Sequence, residues 1–579
     1  MTFSKRAWEI HSRSSWGAGE SLLCVSIVPA KRENVGRVEE TDTVELEGGD
    51  QEIDSQLADV SQAVWPWLQG GTRLTPWRRA FEPAALAPTA ISTTPLPMAD
   101  VEKKVIVTYA DESQVWPVIS DELLSRLPLR NLVWNSPLGS ARANSSNATR
   151  NIPVLDIELK KFSPDMFPKA MPGSLYQSPY FLHLYLVNCD ENDQYRATVK
   201  RQIQDWVNVV NNKKNQEWMI VYISSPESRA KSGLLKLGGN VYDKIKSDFN
   251  VRRESRCVKL KLSNDDGRNS ESWNEFVAAM KEAILASFSQ QIIQYEEDTR
   301  RLDSQRLMPG WNYCQYFVMK EGLSFAFELM GLYEEALVQY DELEAAFFQT
   351  LTEQGAPWFQ KFGGTAAGDD SENILDLKRK PYRDMILQNT ITIFDFRVYL
   401  FARQCFLLYT QNAPVDICQR AKLFITAFAR NLHENETSLV PYFCESWVYS
   451  ACMAVTRHCE ELVAVSTSFT PQVISLYEGA KADLLQYARM QLDTLGVGSN
   501  LFPYSIHASL ATDRVRKDGT PADGVQWAIT NAELKAGLAS VAAFDDLYLR
   551  ITFKTLRSLE CSMRARTMYL MKGDLAFLH

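Results

Sequence analysis

The sequence predicts an α/β domain with a mostly parallel sheet and no P-loop, followed by an α-solenoid of tetratricopeptide-like helix pairs. Three observations predict it. Between Tyr180 and Ile292, near-continuous apolar runs alternate with amphipathic ones, as in a parallel sheet buried on both faces by helices. From Pro309 the strand-like runs stop and only helical spacing continues. The stretch GLYEEALVQYDELEAAF, Gly331 to Phe347, then sets Ala336, Tyr340, Leu343 and Phe347 on one helix face, like the second helix of a tetratricopeptide unit.

A chain of 579 residues exceeds what one hydrophobic core serves. The expected division is an extension over residues 1–97, the α/β domain over 98–308 and the solenoid over 309–579. The extension carries eight acidic and no basic residues from Glu39 to Asp54, and prolines at 83, 88, 95 and 97. It reads as disordered or as extraneous to a chain that starts at Met98. Its tryptophans, Trp8, Trp16, Trp65, Trp67 and Trp77, also fit a partner-binding motif.

In the α/β domain, KKVIVTY is the first strand and ESQVWPVISDELLSRL the first helix; NIPVLDIELKKF reads as an irregular strand, and Asn135–Arg150 as a loop. YFLHLYLVN (Tyr180–Asn188), EWMIVYIS (Glu217–Ser224) and RCVKLKL (Arg256–Leu262) are the buried strands. Between them, Val199, Ile203, Trp206, Val207 and Val210 mark one helix, and NVYDKIKSDFN another. Ser272 and Glu275 have capping-box spacing ahead of a helix whose face is Phe276, Met280, Ile284, Phe288 and Ile292. Helices are then expected over 312–330, 332–350, 385–410, 414–433, 441–465, 470–494 and 530–576. The glycine-rich, acidic stretch Gln354–Asp376 reads as a mobile loop, and Asn500–Val525 as another.

The net charge of −9 argues against a nucleic-acid surface. No apolar run reaches 18 residues, and Ser21–Ala30, the nearest to a signal core, follows Glu9 and Glu20. Ten scattered cysteines without a CxxC pair suit a reducing compartment, which leaves the sequons at Asn144, Asn147 and Asn435 unused.

No chemistry emerges. Where a phosphate loop would follow the first buried strand stands NCDEND, with Asp190, Glu191 and Asp193 and no glycine. KSGLLKLGGN (Lys231–Asn240) has leucines where a cradle needs bare backbone, and reads as a connection. Asp265 and Asp266 sit where α/β enzymes place acids, but SNDDG is a turn sequence. Cys444, Cys452, His458 and Cys459 lack paired zinc-ligand spacing, and His183 in an apolar strand reads as a core histidine. No catalytic, cofactor-binding or metal-ligating residue is assigned, and protein-binding residues stay unassigned. The tetratricopeptide pattern does not recur 34 residues on, where Thr365 stands, so the stripe reads as packing.

Several long stretches in order carry a resemblance: YFLHLYLVNCDENDQYRATVKRQIQDWVN, EWMIVYI, ESWNEF, PGWNYCQYFVMKEGLSFAFELMGLYEEALVQYDELEA and YLFARQCFLLY. Together the sequence from about Lys103 resembles the subunit 10 family of trafficking protein particle (TRAPP) complexes, the large subunits specific to TRAPP II. The resemblance implies a non-catalytic scaffold without cofactors. Its implied partners are the small core subunits, the second large TRAPP II subunit and, through the complex, a Rab GTPase of the Rab11 type. It implies a cytoplasmic protein, peripheral at the Golgi and trans-Golgi network, supporting Rab nucleotide exchange and vesicle tethering. It also implies C-terminal β-sandwich regions beyond 579, so a truncated chain is expected. The residues alone leave two alternatives: a nucleotide-binding α/β enzyme with an atypical site, and a free tetratricopeptide-type peptide adaptor.

Overall fold

The computed structural model describes residues 104–137, 149–166, 180–211, 216–224, 240–250, 256–262, 266–499 except 356, 360 and 467, then 501 and 529–578. The extension 1–97 and nearly all of Asn500–Val525 lie outside these.

Among the described residues seven strands form two sheets: β1 Val105–Asp111, β2 Leu129–Asn135, β3 Thr149–Leu155, β4 Ile157–Lys161, β5 Tyr180–Val187, β6 Trp218–Ser224 and β7 Cys257–Lys261. Five are parallel, in the order β4-β1-β5-β6-β7. Numbered along the chain that order is 2-1-3-4-5, the doubly wound pattern that reverses beside its first strand. β2 and β3 pair separately as an antiparallel hairpin. The run expected as one irregular strand is thus two strands, which part at Asp156 and serve different sheets. The hairpin's first strand lies where no element is expected and meets the expected loop Asn135–Arg150 only at Asn135, since Arg130, Asn131 and Val133 are exposed and Asn131 adopts φ 56°.

Strand residues alternate between two cores. On one face Tyr185, Val187, Ile220 and Tyr222 pack against Ile203, Trp206, Val207 and Val210 of α2 (Lys200–Asn211) and Ile245 and Phe249 of α3 (Val241–Phe249). On the other, Val107, Leu184, Leu186 and Val221 meet Ile119 and Leu123 of α1 (Trp116–Ser125) and the apolar face of α4 (Asp266–Ser304). Phe276, Met280, Ile284, Phe288 and Ile292 on α4 are all fully buried. The capping box is not one: α4 starts at Asp266, and the Ser272 hydroxyl accepts from the Lys261 N–H at 2.8 Å, tying the helix to β7.

The helical array continues the same core. α5 (Tyr313–Leu329) and α6 (Tyr333–Gln354) form an antiparallel pair, with Ala336, Tyr340, Leu343 and Phe347 fully or nearly fully buried. The helix expected over 385–410 is two, α7 (Tyr382–Leu387) and α8 (Ile393–Thr410). They are separated by Asn389 at φ 53°, and the Thr392 hydroxyl caps α8 by accepting from Asp395 N–H at 3.1 Å. α8 is buried on all sides. Phe396, Tyr399 and Leu400 join the core shared with the sheet, while Phe394, Val398 and Phe401 join the next one. That second core holds α9 (Pro414–Glu434), α10 (Phe443–Val465) and α11 (Pro471–Gly498). The last expected helix is three: α12 (Ala532–Gly537), α13 (Val541–Cys561) and α14 (Ala565–Leu578).

The stretch expected to be a mobile loop is pinned. Phe359, Asp369, Asp370, Ile374 and Leu375 are buried. Asp369 pairs with Arg379 and with Lys380 at 2.8 Å, and Lys380 reaches Asp395 at 2.6 Å. Asp370 accepts from Ser446 Oγ at 2.6 Å, from Thr530 N–H at 2.8 Å and from the Thr530 hydroxyl. Gly363, at φ 97°, leaves room for Thr392, whose Oγ1 would lie 2.3 Å from an added Cβ. Glycine and acid here serve close approach and internal bonding rather than solvation.

Two stability outcomes follow. Trp206 is 7% exposed in an aromatic set with Tyr185, Trp218 and Phe162, so Trp206→Ala should lower unfolding free energy by about 3–5 kcal/mol, read from denaturant midpoints. Asp370→Ala strands three donors and should cost about 2–4 kcal/mol; a shift within experimental error would restore the mobile-loop reading.

Candidate functional site

An open parallel sheet offers ligands the crevice outside the carboxyl ends of its strands, where strand order reverses. Here that point lies between β1 and β5, and the chain itself occupies it. Asp111, the last residue of β1, accepts from Val115 N–H at 2.9 Å and Trp116 N–H at 2.8 Å. Its carboxylate therefore takes the donors that open α1, the ones a phosphate would need. Trp116 stacks on Tyr109 with ring centres 3.7 Å apart. Ser113 Oγ accepts from Asn188 N–H at 3.2 Å and closes the loop after β1 onto the loop after β5.

The second loop is NCDEND. Cys189 is buried, and its thiol donates to the Glu191 carbonyl at 3.4 Å; burial pushes the thiol's pKa up. Asp190 and Glu191 are exposed. Tyr222 of β6 donates its hydroxyl to the Cys189 carbonyl at 3.1 Å and lies 3.4 Å from Asp190 Oδ1. Burial, then the Asp190 charge, hold this phenol far above its ordinary range; burial and the Glu112 and Asp111 charges do the same to Tyr185. These are neutral tyrosines beside carboxylates, a setting that disfavours another anion. A short turn, Asn192–Gln194, and a π-helical segment, Tyr195–Val199, lead into α2, with Tyr195 donating to Asp248 at 2.7 Å.

The other candidates are structural or lie outside the described residues. His183 has no exposure; its Nδ1 lies 2.6 Å from Thr108 Oγ1 and its Nε2 3.0 Å from Gln216 Oε1. Burial lowers its pKa to about 4, although the Gln216 contact raises it slightly, so it is neutral at pH 7 as a satisfied core histidine. Cys444, Cys452, His458 and Cys459 are all carried by α10, with Cys444 Sγ 3.3 Å from His433 Nε2 and the His458 ring tilted against Tyr409, their centres 4.5 Å apart. Among the described residues no group of three or more His, Cys, Asp or Glu is placed to hold a metal ion. Asp265 and residues 231–239 are outside the described set, and of Asp266 only the backbone, opening α4, is within it. Among the described residues no helix is long and apolar enough to cross a membrane.

Sequence reasoning missed Asp111, because a strand-terminal Asp five residues before a helix gives no signal separable from a turn. It also missed a network inside the array. Glu321 has no exposure, and its carboxylate accepts from Tyr340 at 3.1 Å and Tyr399 at 2.5 Å and pairs with Arg383 at 2.9 Å. Burial raises both phenols well above their usual range. The arrangement can hold helices in register; it contains no open acid–base pair.

Comparison with known proteins adds identity to geometry. Residues 100–306 match the family model described as trafficking protein particle complex subunit 10-like, N-terminal. The chain is 34% identical over 394 residues to trafficking protein particle complex subunit 10 of Dictyostelium discoideum, covering 62% of this chain and 26% of that one. It is 30% identical over 507 residues to the Homo sapiens protein of the same name, covering 84% and 38%. To the trafficking protein particle complex II-specific subunit 130 homolog of Oryza sativa it is 29% identical over 359 residues, covering 61% and 28%. The matched stretches thus span between a quarter and two fifths of these relatives.

With the donors at the start of α1 taken by Asp111 and acids on the adjoining loop, isothermal titration of the chain with GTP and magnesium should give no heat at micromolar affinity or tighter. Saturable binding would reopen the enzyme reading.

Proposed function

We propose, from the premise that this chain belongs through residues 100–306 to the trafficking protein particle complex subunit 10-like family, that it is a non-catalytic scaffold subunit of a TRAPP II complex. The observation that carries the proposal is the similarity to subunits of that name, which extends past the family domain to cover 84% of the chain against the human protein. The geometry supports it. The crevice where doubly wound sheets bind ligands is filled by the protein's own capping contacts, and the sheet passes its core directly to the helices.

In this reading the chain joins the small core subunits and the second large TRAPP II subunit. It supports nucleotide exchange on a Rab GTPase of the Rab11 type without supplying the exchange site. Its place is the cytoplasmic face of late Golgi and trans-Golgi membranes, reached through the complex, where exchange is coupled to vesicle tethering. The division into an extension over 1–97, an α/β domain and a solenoid belongs to the same reading.

Affinity purification of the tagged chain from cells, followed by mass spectrometry, tests the assembly. Small TRAPP subunits should be recovered in stoichiometric amount; recovery of chaperones or short-peptide partners instead would favour the free adaptor. A nucleotide-release assay with the assembled complex tests the role. Omitting the subunit should slow release from the Rab11-type GTPase more than from other Rabs, and equal rates across several Rabs would leave only an architectural part.

A further inference from the structure

The last turns of α4 and the pair α5–α6 leave a cleft of about 320 Å³, a volume in the range of ligand-binding pockets. Its α4 wall carries Glu296, Thr299, Arg300 and Asp303, whose spacing sets them on one face of the helix. Lys320 of α5 and Ala345 of α6 belong to the other walls. The charges cancel. Arg300, Arg306 and Lys320 line the cleft together with Glu296, Asp303 and Glu342, and each cation pairs with one of these acids. A singly charged ligand therefore meets as much repulsion as attraction.

Three of the lining groups are buried yet keep hydrogen-bonding capacity. Thr299 is 5% exposed, and its hydroxyl has no hydrogen-bond partner among the described residues. Lys320 is 4% exposed, and its bond to Glu342 at 2.5 Å uses one of three N–H groups. Glu296 is 3% exposed; its pairing with Arg300 spans 3.8 Å, and the Arg300 side chain is 70% exposed, so that pairing is screened by solvent. A hydroxyl, a donor and an acceptor thus stand around one opening. Folding alone does not account for the hydroxyl, because valine has the same shape and an unmade buried hydrogen bond is destabilising.

We propose that the cleft receives a side-chain carboxamide, an Asn or Gln carried by a segment of a partner protein. A carboxamide is neutral and brings two N–H donors and a carbonyl acceptor together at the end of one side chain. Its NH2 group matches Glu296 and the Thr299 hydroxyl, and its carbonyl matches Lys320, with every ion pair of the cleft left in place. A carboxylate would set a second anion against Glu296, and an ammonium a second cation against Lys320. The source is a protein because of what adjoins the cleft. Arg306, which lines it, is followed by Leu307 and Met308, 81% and 63% exposed, on a turn closed by the Met308 N–H donating to the Gln305 carbonyl at 2.8 Å. A free amino acid leaves that apolar shelf bare, whereas chain flanking the carboxamide covers it. The inference does not rest on the assembly reading, since it concerns the carboxamide whichever protein brings it.

The test is thermal unfolding of the full chain with four matched probes, the N-acetyl methylamides of glutamine, glutamate, lysine and norleucine, each at about 20 mM. The glutamine probe should raise the melting temperature by about 1 °C, and the other three by about a third of that or less. Free L-glutamine should give a smaller shift than the blocked form. Thr299→Val should melt no lower than the parent without ligand, yet lose most of the glutamine-probe shift, a combination that a merely structural threonine does not give. Ala345→Trp, at an exposed position, should fill the opening and abolish the shift. Absence of a shift with the glutamine probe, an equal shift from any of the other three, a shift that survives either variant, or a lower melting temperature of unliganded Thr299→Val would each overturn the proposal. Free L-glutamine matching the blocked probe would overturn its protein source.

Discussion

The carboxylate of Glu321 is the point on which the architecture turns. It is completely buried on α5, and a buried charge persists only with close partners. Tyr340 from α6, Tyr399 from α8 and Arg383 from α7 supply it. Four helices therefore hold fixed positions about one group, and none can slide by a turn without stranding it. Arg403 extends the lock, donating to the Tyr340 hydroxyl at 2.8 Å and pairing with Glu328. Hydrophobic burial supplies the larger energy here, but it is non-directional, and these bonds select one packing among many.

From that lock the structure grows in both directions. Toward the sheet, Trp134 of β2 packs on Phe288 of α4 and Phe327 of α5, with its indole N–H donated to Ser289 at 3.0 Å. The hairpin thereby acts as a bracket between sheet and array, and Arg150 beside it pairs with Glu335 of α6. Away from the sheet, α8 presents one face to each of two cores, which explains why its sequence is apolar all round. Asp370 then ties the irregular stretch before α7 to α10 and to the segment ahead of α12.

What could be read in advance follows from how each element is stabilised. β5 and β6 are buried on both faces, so their apolar runs announce them, while the edge strand β7 is only partly buried. The helices from α4 onward carry apolar stripes whose spacing survives without knowledge of partners, and the α/β-then-helical order was legible for that reason. β2 was not, because a hairpin strand with a solvent face and one left-handed residue resembles a loop. The 354–376 stretch was misread because its glycines and acids are loop signals, while the bonds of Asp369 and Asp370 are made with residues up to 160 positions away. At the switch point the acids of NCDEND were visible, but Asp111 as occupant of the α1 donors was not, since its role depends on a turn geometry that the letters do not specify.

Two arginines six residues apart on α8 show how differently a buried charge can be compensated. Arg403 lies over the rings of Phe325, Tyr340 and Phe406, and burial alone would lower its pKa, but Glu328 and the neighbouring phenols raise it well above the usual value. Arg397 also lies over three rings; burial lowers its pKa and the distant Glu344 only partly offsets that. The same side chain in nearly the same aromatic setting closes directly on a carboxylate at one position and stands 4.0 Å from one at the other. At both positions the guanidinium also fills space between aromatic rings, so its burial belongs to the packing as well as to the charge pairing.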